Sequence, residues 1–265
     1  ALAGAVAAGT AAIGGAIIGG IATADSYQKA LNGIQTATGA ADAEMKGMGD
    51  AMKEIYANNF GEDFQQIGEA MAYVKQTTGL AGEELKNMTQ NAFLLSDSFG
   101  YDMNESVRSA DKLMKQFGMT SEEAMAIMAE GTQKGLNYAD DLLPTIDEYS
   151  VYFKQAGYSA SEMFGLFENA KAAGVFNLDY AADAVKEFGI IMTEDSTRAV
   201  DALARIGIQG GDKLVADFAK GGEGAKKAMQ TITEKLAGVE DKSLQTIVGI
   251  ELFGTKFEDI GAQGV

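Results

Sequence analysis

The sequence predicts an all-α protein: a multi-helix bundle or loose helical stack of short, glycine-punctuated helices, preceded by an Ala/Gly-rich apolar helix. Three observations carry this prediction. The 265 residues include one proline, Pro144, so almost nothing enforces a helix break. Between glycines the apolar residues return every three or four positions, which is the helical period. No run of alternating apolar and polar residues marks a strand.

The first element covers residues 1–24, which are uncharged and almost wholly Ala, Gly and Ile; the first charge is Asp25. The stretch lacks the basic start of a signal peptide, and its apolar run is too long for one. Its length suits one bilayer crossing. Gly4, Gly9, Gly14 and Gly19 recur every five residues, and Gly15 with Gly19 adds a small-xxx-small pair. Small residues let a second helix backbone approach closely, in lipid or inside an oligomer. Two readings follow: a membrane-competent helix, or a buried or linking segment. The chain begins at Ala1, not Met, and is read as a piece of a longer or processed protein.

Residues 25–59 form a moderately amphipathic helical connector, weakened at Gly33, Gly39, Gly47 and Gly49. Residues 60–265 form a helical core domain in which one punctuation recurs. A glycine is followed by an apolar residue, then a polar cap residue, then an acid. Gly100, Gly118, Gly157, Gly174 and Gly189 begin such corners, and Gly207 begins a weaker one. The glycine suits the left-handed position that closes a helix, and the apolar residue packs back on the last turn. The Ser, Thr, Asp or Asn then caps the next helix. Thr120 with Glu123 and Ser159 with Glu162 have the spacing of reciprocal capping boxes.

Between corners, Leu85, Met88, Ala92 and Leu95 share a face, as do Val107, Ala110, Met114 and Phe117. Ala181, Ala184, Val185 and Phe188 repeat the pattern. The Leu142-Leu143-Pro144 step marks a break or a helix start. The helices differ too much in sequence for a strict tetratricopeptide or HEAT array.

Composition narrows the chemistry. Net charge is −17, which repels phosphate backbones and argues against direct nucleic-acid binding. There is no Cys and no His, so thiolate chemistry and the commonest general base and metal ligand are missing. Acid pairs stand at Glu83-Glu84, Glu122-Glu123, Asp140-Asp141 and Glu194-Asp195. Three of them are explained by capping and the helix dipole. Asp140-Asp141 lacks the surrounding loop of a calcium site. Residues 221–227 superficially resemble a phosphate loop, but the Gly-Lys-Ser/Thr ending and a preceding strand are missing. No catalytic, cofactor-binding or metal-ligating set is therefore expected. A helical cleft enzyme built on paired carboxylates stays open as an alternative, as does a membrane-active pore or channel module built on residues 1–24.

Several segments together resemble a known family. They are the run 77–85, the corners Phe99-Gly100-Tyr101-Asp102 and Phe117-Gly118, residues 156–162, and the closing stretch Leu252-Phe253-Gly254-Thr255-Lys256-Phe257-Glu258-Asp259. Their order along residues 25–260 resembles the tail tape measure proteins of long-tailed bacteriophages, in the core minor-tail-protein region. Leu252, Phe253, Gly254, Thr255, Glu258 and Asp259 are the family signature.

The resemblance implies a non-enzymatic virion component in the tail tube lumen, acting in tail length, assembly and genome ejection. It implies tail tube and tail tip proteins, tail assembly chaperones and further copies of the chain as partners. It also implies the host cytoplasm during assembly and contact with the host inner membrane on ejection. Some family members carry peptidoglycan-cleaving domains; no segment here matches one, and that activity is not carried over. As one helix the chain would span roughly 400 Å, whereas the corners predict a compact bundle with a radius of gyration of about 18 Å. The expectation is that this piece is not the ruler segment but a helical domain that folds compactly outside the tube or during ejection and is kept extended inside.

Overall fold

The computed structural model describes residues 21–261, and all regular structure among them is helical. The apolar segment with Gly4, Gly9, Gly14, Gly15 and Gly19 lies outside the described residues. No described helix is long and apolar enough to cross a membrane.

The described residues form two compact units. One runs to Met114 and takes in Met119–Ala129; the other comprises Lys115–Gly118 and the chain from Glu130 onward.

The first unit is built from α1 (Ile21–Thr38), α2 (Asp42–Ala57), α3 (Phe64–Thr78), α4 (Gly82–Phe99), most of α5 (Met103–Phe117) and the front of α6 (Ser121–Gln133). Helix α3 is its centre, packed by α1, α2 and α4. The faces that meet carry Met52, Ile55, Ile67, Met71, Leu85 and Met88, each 1% exposed or less. At the α1–α3 crossing Gly68 brings the backbones together, since a Cβ there would stand 3.2 Å from the Ala30 methyl. Lys86 is buried on α4 and bonded to Glu54 of α2 at 2.8 Å and to Glu83 at 2.7 Å. Residues 25–59, expected as a helical connector, fall mainly in α1 and α2. Gly33, Gly47 and Gly49 lie inside α1 and α2, and both helices help to build the first core.

The second unit holds α7 (Leu142–Gln155), α8 (Ala160–Ala172), α9 (Leu178–Glu194), α10 (Ser196–Arg205), α11 (Gly211–Ala219), α12 (Gly222–Ala237), α13 (Lys242–Phe253) and α14 (Phe257–Ile260). Helix α9 is central and meets α7, α8, α10, α11, α13 and α14. It buries Leu178, Ala181, Ala184, Val185, Phe188 and Met192. Pro144 sits in the first turn of α7, where its missing N–H would have no partner anyway.

The corners show how this topology is set. Tyr158 N–H donates to Phe153 C=O at 2.9 Å and Gly157 N–H to Lys154 C=O at 3.1 Å, the paired bonds of a Schellman closure. The accompanying apolar contact is Phe153 against Tyr158, ring centroids 5.8 Å apart. Both capping boxes form. Ser159 Oγ accepts from Glu162 N–H at 3.3 Å while Glu162 Oε2 accepts from Ser159 N–H at 2.9 Å. Thr120 and Glu123 exchange the same two bonds.

Gly189 departs from the sequence expectation: it lies inside α9 and is absent from the positive-φ positions. Three apolar residues, Ile190, Ile191 and Met192, follow it and prolong the helical face. The first cap-type residue, Thr193, bonds back to Gly189 C=O at 2.8 Å instead of starting a helix. The chain turns only at Asp195, whose carboxylate caps α10.

Two glycines of the same corner type should respond differently to a methyl group. Gly157 has φ 84°, and a Cβ there would lie 2.0 Å from Gly222 C=O; Gly100 has φ 74° and open space around it. In urea unfolding, Gly157→Ala is expected to cost about 2–4 kcal/mol, from left-handed strain and the clash together. Gly100→Ala should cost about 1 kcal/mol, from strain alone. Equal losses would contradict the close approach of α7 and α12.

Candidate functional site

The signature stretch closes the second unit. Helix α13 ends at Phe253, Gly254 turns the chain with φ 76°, and the single turn α14 folds back. Phe253 stacks on Phe188 at 4.8 Å and on Phe257 at 5.7 Å, while Phe218 meets Phe188 edge-on at 5.2 Å. Gly249 lets α13 accept the Phe257 ring, because a Cβ would fall 2.0 Å from a ring carbon. Leu252 and Phe253 are fully buried, and Lys256 Nζ lies 3.7 Å from the Tyr180 ring centroid. Thr255, Glu258 and Asp259 face solvent. The structure thus places Phe253 of the signature in one aromatic cluster with Phe188, Phe218 and Phe257, while Thr255, Glu258 and Asp259 lie outside it.

Asp141 links loops distant in sequence. It directly precedes α7, yet its Oδ2 accepts from the Leu178 and Asp179 N–H groups at 2.7 and 3.1 Å, capping α9 instead. Asn137 Oδ1 takes over the start of α7, accepting from Leu142 N–H at 3.1 Å. Burial pushes the Asp141 carboxyl above its ordinary range, against the pull of the backbone bonds. Tyr149 Oη donates to Asp179 Oδ1 at 2.8 Å, and burial with that carboxylate raises the phenol strongly. Nothing in the spacing of Asp141 and Leu178 announces this pairing. Asp140 is exposed, with φ 55°, and no group of three metal-ligating side chains occurs among the described residues.

The remaining sequence candidates resolve into structure. Gly221 precedes α12 after a helix, α11, and Lys226 is bonded to Glu162 of α8. Glu83, Glu84, Glu122 and Glu123 occupy first turns. Gly100, Gly118, Gly157 and Gly174 all have positive φ. An open groove of about 790 Å³ separates α8 from α12, walled by Tyr158, Gly165, Leu166, Asn169, Met229 and Thr233. A cleft of about 280 Å³ in the first unit is lined by residues that include Asn59, Phe93, Asp97 and Met103.

Lys226 beside Glu162, and then the Ser159 backbone, hold the Glu162 carboxyl below the ordinary range. A lowered folded-state pKa contributes stability above the ordinary value of about 4.5, and that stability disappears as pH falls through the folded value. Glu162→Gln should therefore melt below the parent at neutral pH, and the gap should close below about pH 4.5. Melting curves of both proteins across that range test this; a gap that stays constant would rule it out.

Comparison with known proteins gives two kinds of match. A family model described as phage-related minor tail protein matches residues 56–254. The chain is similar to a probable tape measure protein of Streptomyces phage phiC31, 31% identical over 181 residues, covering 68% of this chain and 24% of the relative. It is similar also to the uncharacterized protein YqbO of Bacillus subtilis (strain 168), 25% identical over 209 residues, covering 78% of this chain and 13% of the relative. The chain therefore spans well under two thirds of the length of either curated relative. No solved structure matches it.

Proposed function

We propose, for a chain that belongs to the phage-related minor tail protein family, that this region works in the lumen of the tail tube as part of a tape measure. Membership makes it a structural component of a phage tail. The finer role is a non-enzymatic one in length determination, assembly and genome ejection. The observation that carries this reading is the similarity to a probable tape measure protein over most of the present chain. The helical architecture supports it physically, since helix is the form that converts residue number into a fixed length, at about 1.5 Å per residue.

In this reading the chain meets tail tube and tail tip proteins, assembly chaperones in the host cytoplasm, and further copies of itself. On ejection it leaves ahead of the genome toward the host inner membrane. The acidic surface suits a component that must not adhere to the DNA following it. The two compact units are the form taken outside the tube, and the extended chain is the form inside.

An in-frame deletion of about 100 residues within residues 80–200 of the phage-encoded protein tests this. Tails measured by electron microscopy should shorten by roughly 150 Å, the helical rise over the deleted length. Unchanged length with lost infectivity would assign the region to ejection alone. Unchanged length and full infectivity would contradict both roles.

A further inference from the structure

One corner of the second unit carries a residue that the fold does not use. At three corners the cap follows directly on the residue that packs back: Gly100-Tyr101-Asp102, Gly118-Met119-Thr120 and Gly157-Tyr158-Ser159. Asp102, Thr120 and Ser159 each accept a bond from the N–H three residues on. The corner between α8 and α9 reads Gly174-Val175-Phe176-Asn177, one residue longer. Gly174 takes φ 81°. Val175 is buried, and its N–H donates to Ala170 C=O at 3.0 Å. Asn177 Oδ1 caps α9, accepting from Tyr180 N–H at 3.1 Å. The extra residue is Phe176. A ring just before a cap often packs on the helix it precedes. Phe176 instead keeps 76% of its surface in water, more than any other large apolar residue among those described.

The ring is nonetheless held in place. On one side, Tyr138 Oη donates to Val175 C=O at 2.9 Å. On the other, Asp141 accepts from the Leu178 and Asp179 N–H groups. The backbone carrying Phe176 is thus pinned at both ends. The Tyr180 ring stands beside it, centroids 6.2 Å apart, and is itself covered by Lys256. Tyr138 is exposed as well. Aromatic surface fixed before a partner arrives lowers the cost of binding.

The charge around this surface selects what can cover it. The bonds of Asp141 bring its exposed neighbour Asp140 to the same end of α9 as Asp179. The lysines of the adjoining loops are already engaged. Lys134 lies between Glu130 at 2.8 Å and Glu168 at 2.7 Å, and Lys171 donates to Lys134 C=O. A purely apolar segment laid here would strip water from Asp140 and Asp179 without pairing either. A phosphate backbone, or a second copy of a chain with net charge −17, would be repelled.

We propose that the Phe176 corner is a docking surface for a basic segment of a partner protein, in which an arginine lies on the open face of Phe176 and pairs with Asp140. A guanidinium combines stacking on a ring with bonding to a carboxylate, which an ammonium does less well. An apolar neighbour of that arginine rests against Tyr138. The surface belongs to the compact unit and does not require the tail reading.

Peptides from a displayed random library, selected on the whole 265-residue chain and counter-selected on its Phe176→Ser variant, test this. The surviving peptides should carry arginine beside an apolar residue. Made synthetically, they should bind Phe176→Ser at least about tenfold more weakly than the parent. Asp140→Asn should weaken them about threefold at low salt and less at high salt. Ile247→Ser, which removes an exposed apolar residue of α13, should leave binding unchanged. The Phe176 side chain is mostly in water, so Phe176→Ser should keep the parent's circular dichroism and melting temperature. Failure to recover any peptide that depends on Phe176 would overturn the proposal, as would peptides without a basic residue or an equal loss in Ile247→Ser. A parent that doubles its mass by light scattering while Phe176→Ser stays single-chain would assign the surface to a second copy and overturn it too. None of these outcomes bears on the tail-length experiment, so the two readings fail separately.

Discussion

A helix leaves four carbonyls without partners at its C-terminus, and here most helices run between nine and eighteen residues, so such ends come often. The left-handed residue that follows them meets this constraint. It aims its own N–H, and often the next one, back at the stranded carbonyls, and it reverses the chain within a few residues. The two units use it differently. In the second, the residues after Gly135, Gly157, Gly174 and Gly207 all bond five residues back, so the exit direction is fixed as well as the end. In the first, Gly79 and Gly100 close α3 and α4 with a single bond four residues back, to Lys75 and Ser96.

Once the corners are set, packing follows from which faces they bring together. Helix α9 is central because its apolar face is wide, running from Leu178 to Met192 with no interruption at Gly189. Aromatic rings then lock the arrangement. Phe188, Phe218, Phe253 and Phe257 form one stacked and edge-on group, and Phe153 meets Phe167 edge-on at 5.6 Å. Fully burying rings of this size contributes on the order of 1.5–3 kcal/mol each, well above what the exposed ion pairs supply.

Much of this was legible in the residues. Glycine, then an apolar residue, then a cap and an acid describes local chemistry, and the Ser159–Glu162 and Thr120–Glu123 boxes form as that chemistry requires. Gly189 misled because glycine alone does not end a helix; the cap residue must come soon after, and Thr193 comes too late. The roles of α1 and α2 were not legible because their moderate apolar content gives no sign of which helix they will meet. The Asp141 cap on α9 joins residues 37 and 38 apart. A carboxylate before α7 reads as that helix's own cap, and only the folded chain shows Asn137 taking its place. The signature stretch was legible as a likeness, whereas its work in closing the second core depends on Gly249 and Phe188, which no linear motif connects.

The account requires that the free chain hold real cores, since glycine-rich helices this short would otherwise melt in water. Native-state hydrogen exchange resolved by residue measures this most directly. Amides in the middle of α3, α4, α9 and α13, whose side chains include Ile67, Met88, Val185 and Val248, should exchange at least about a thousandfold slower than the unfolded chain. The corner residues that only accept water should exchange fast. Uniformly fast exchange through those helices would contradict a compact, glycine-closed fold for this region of the tail protein.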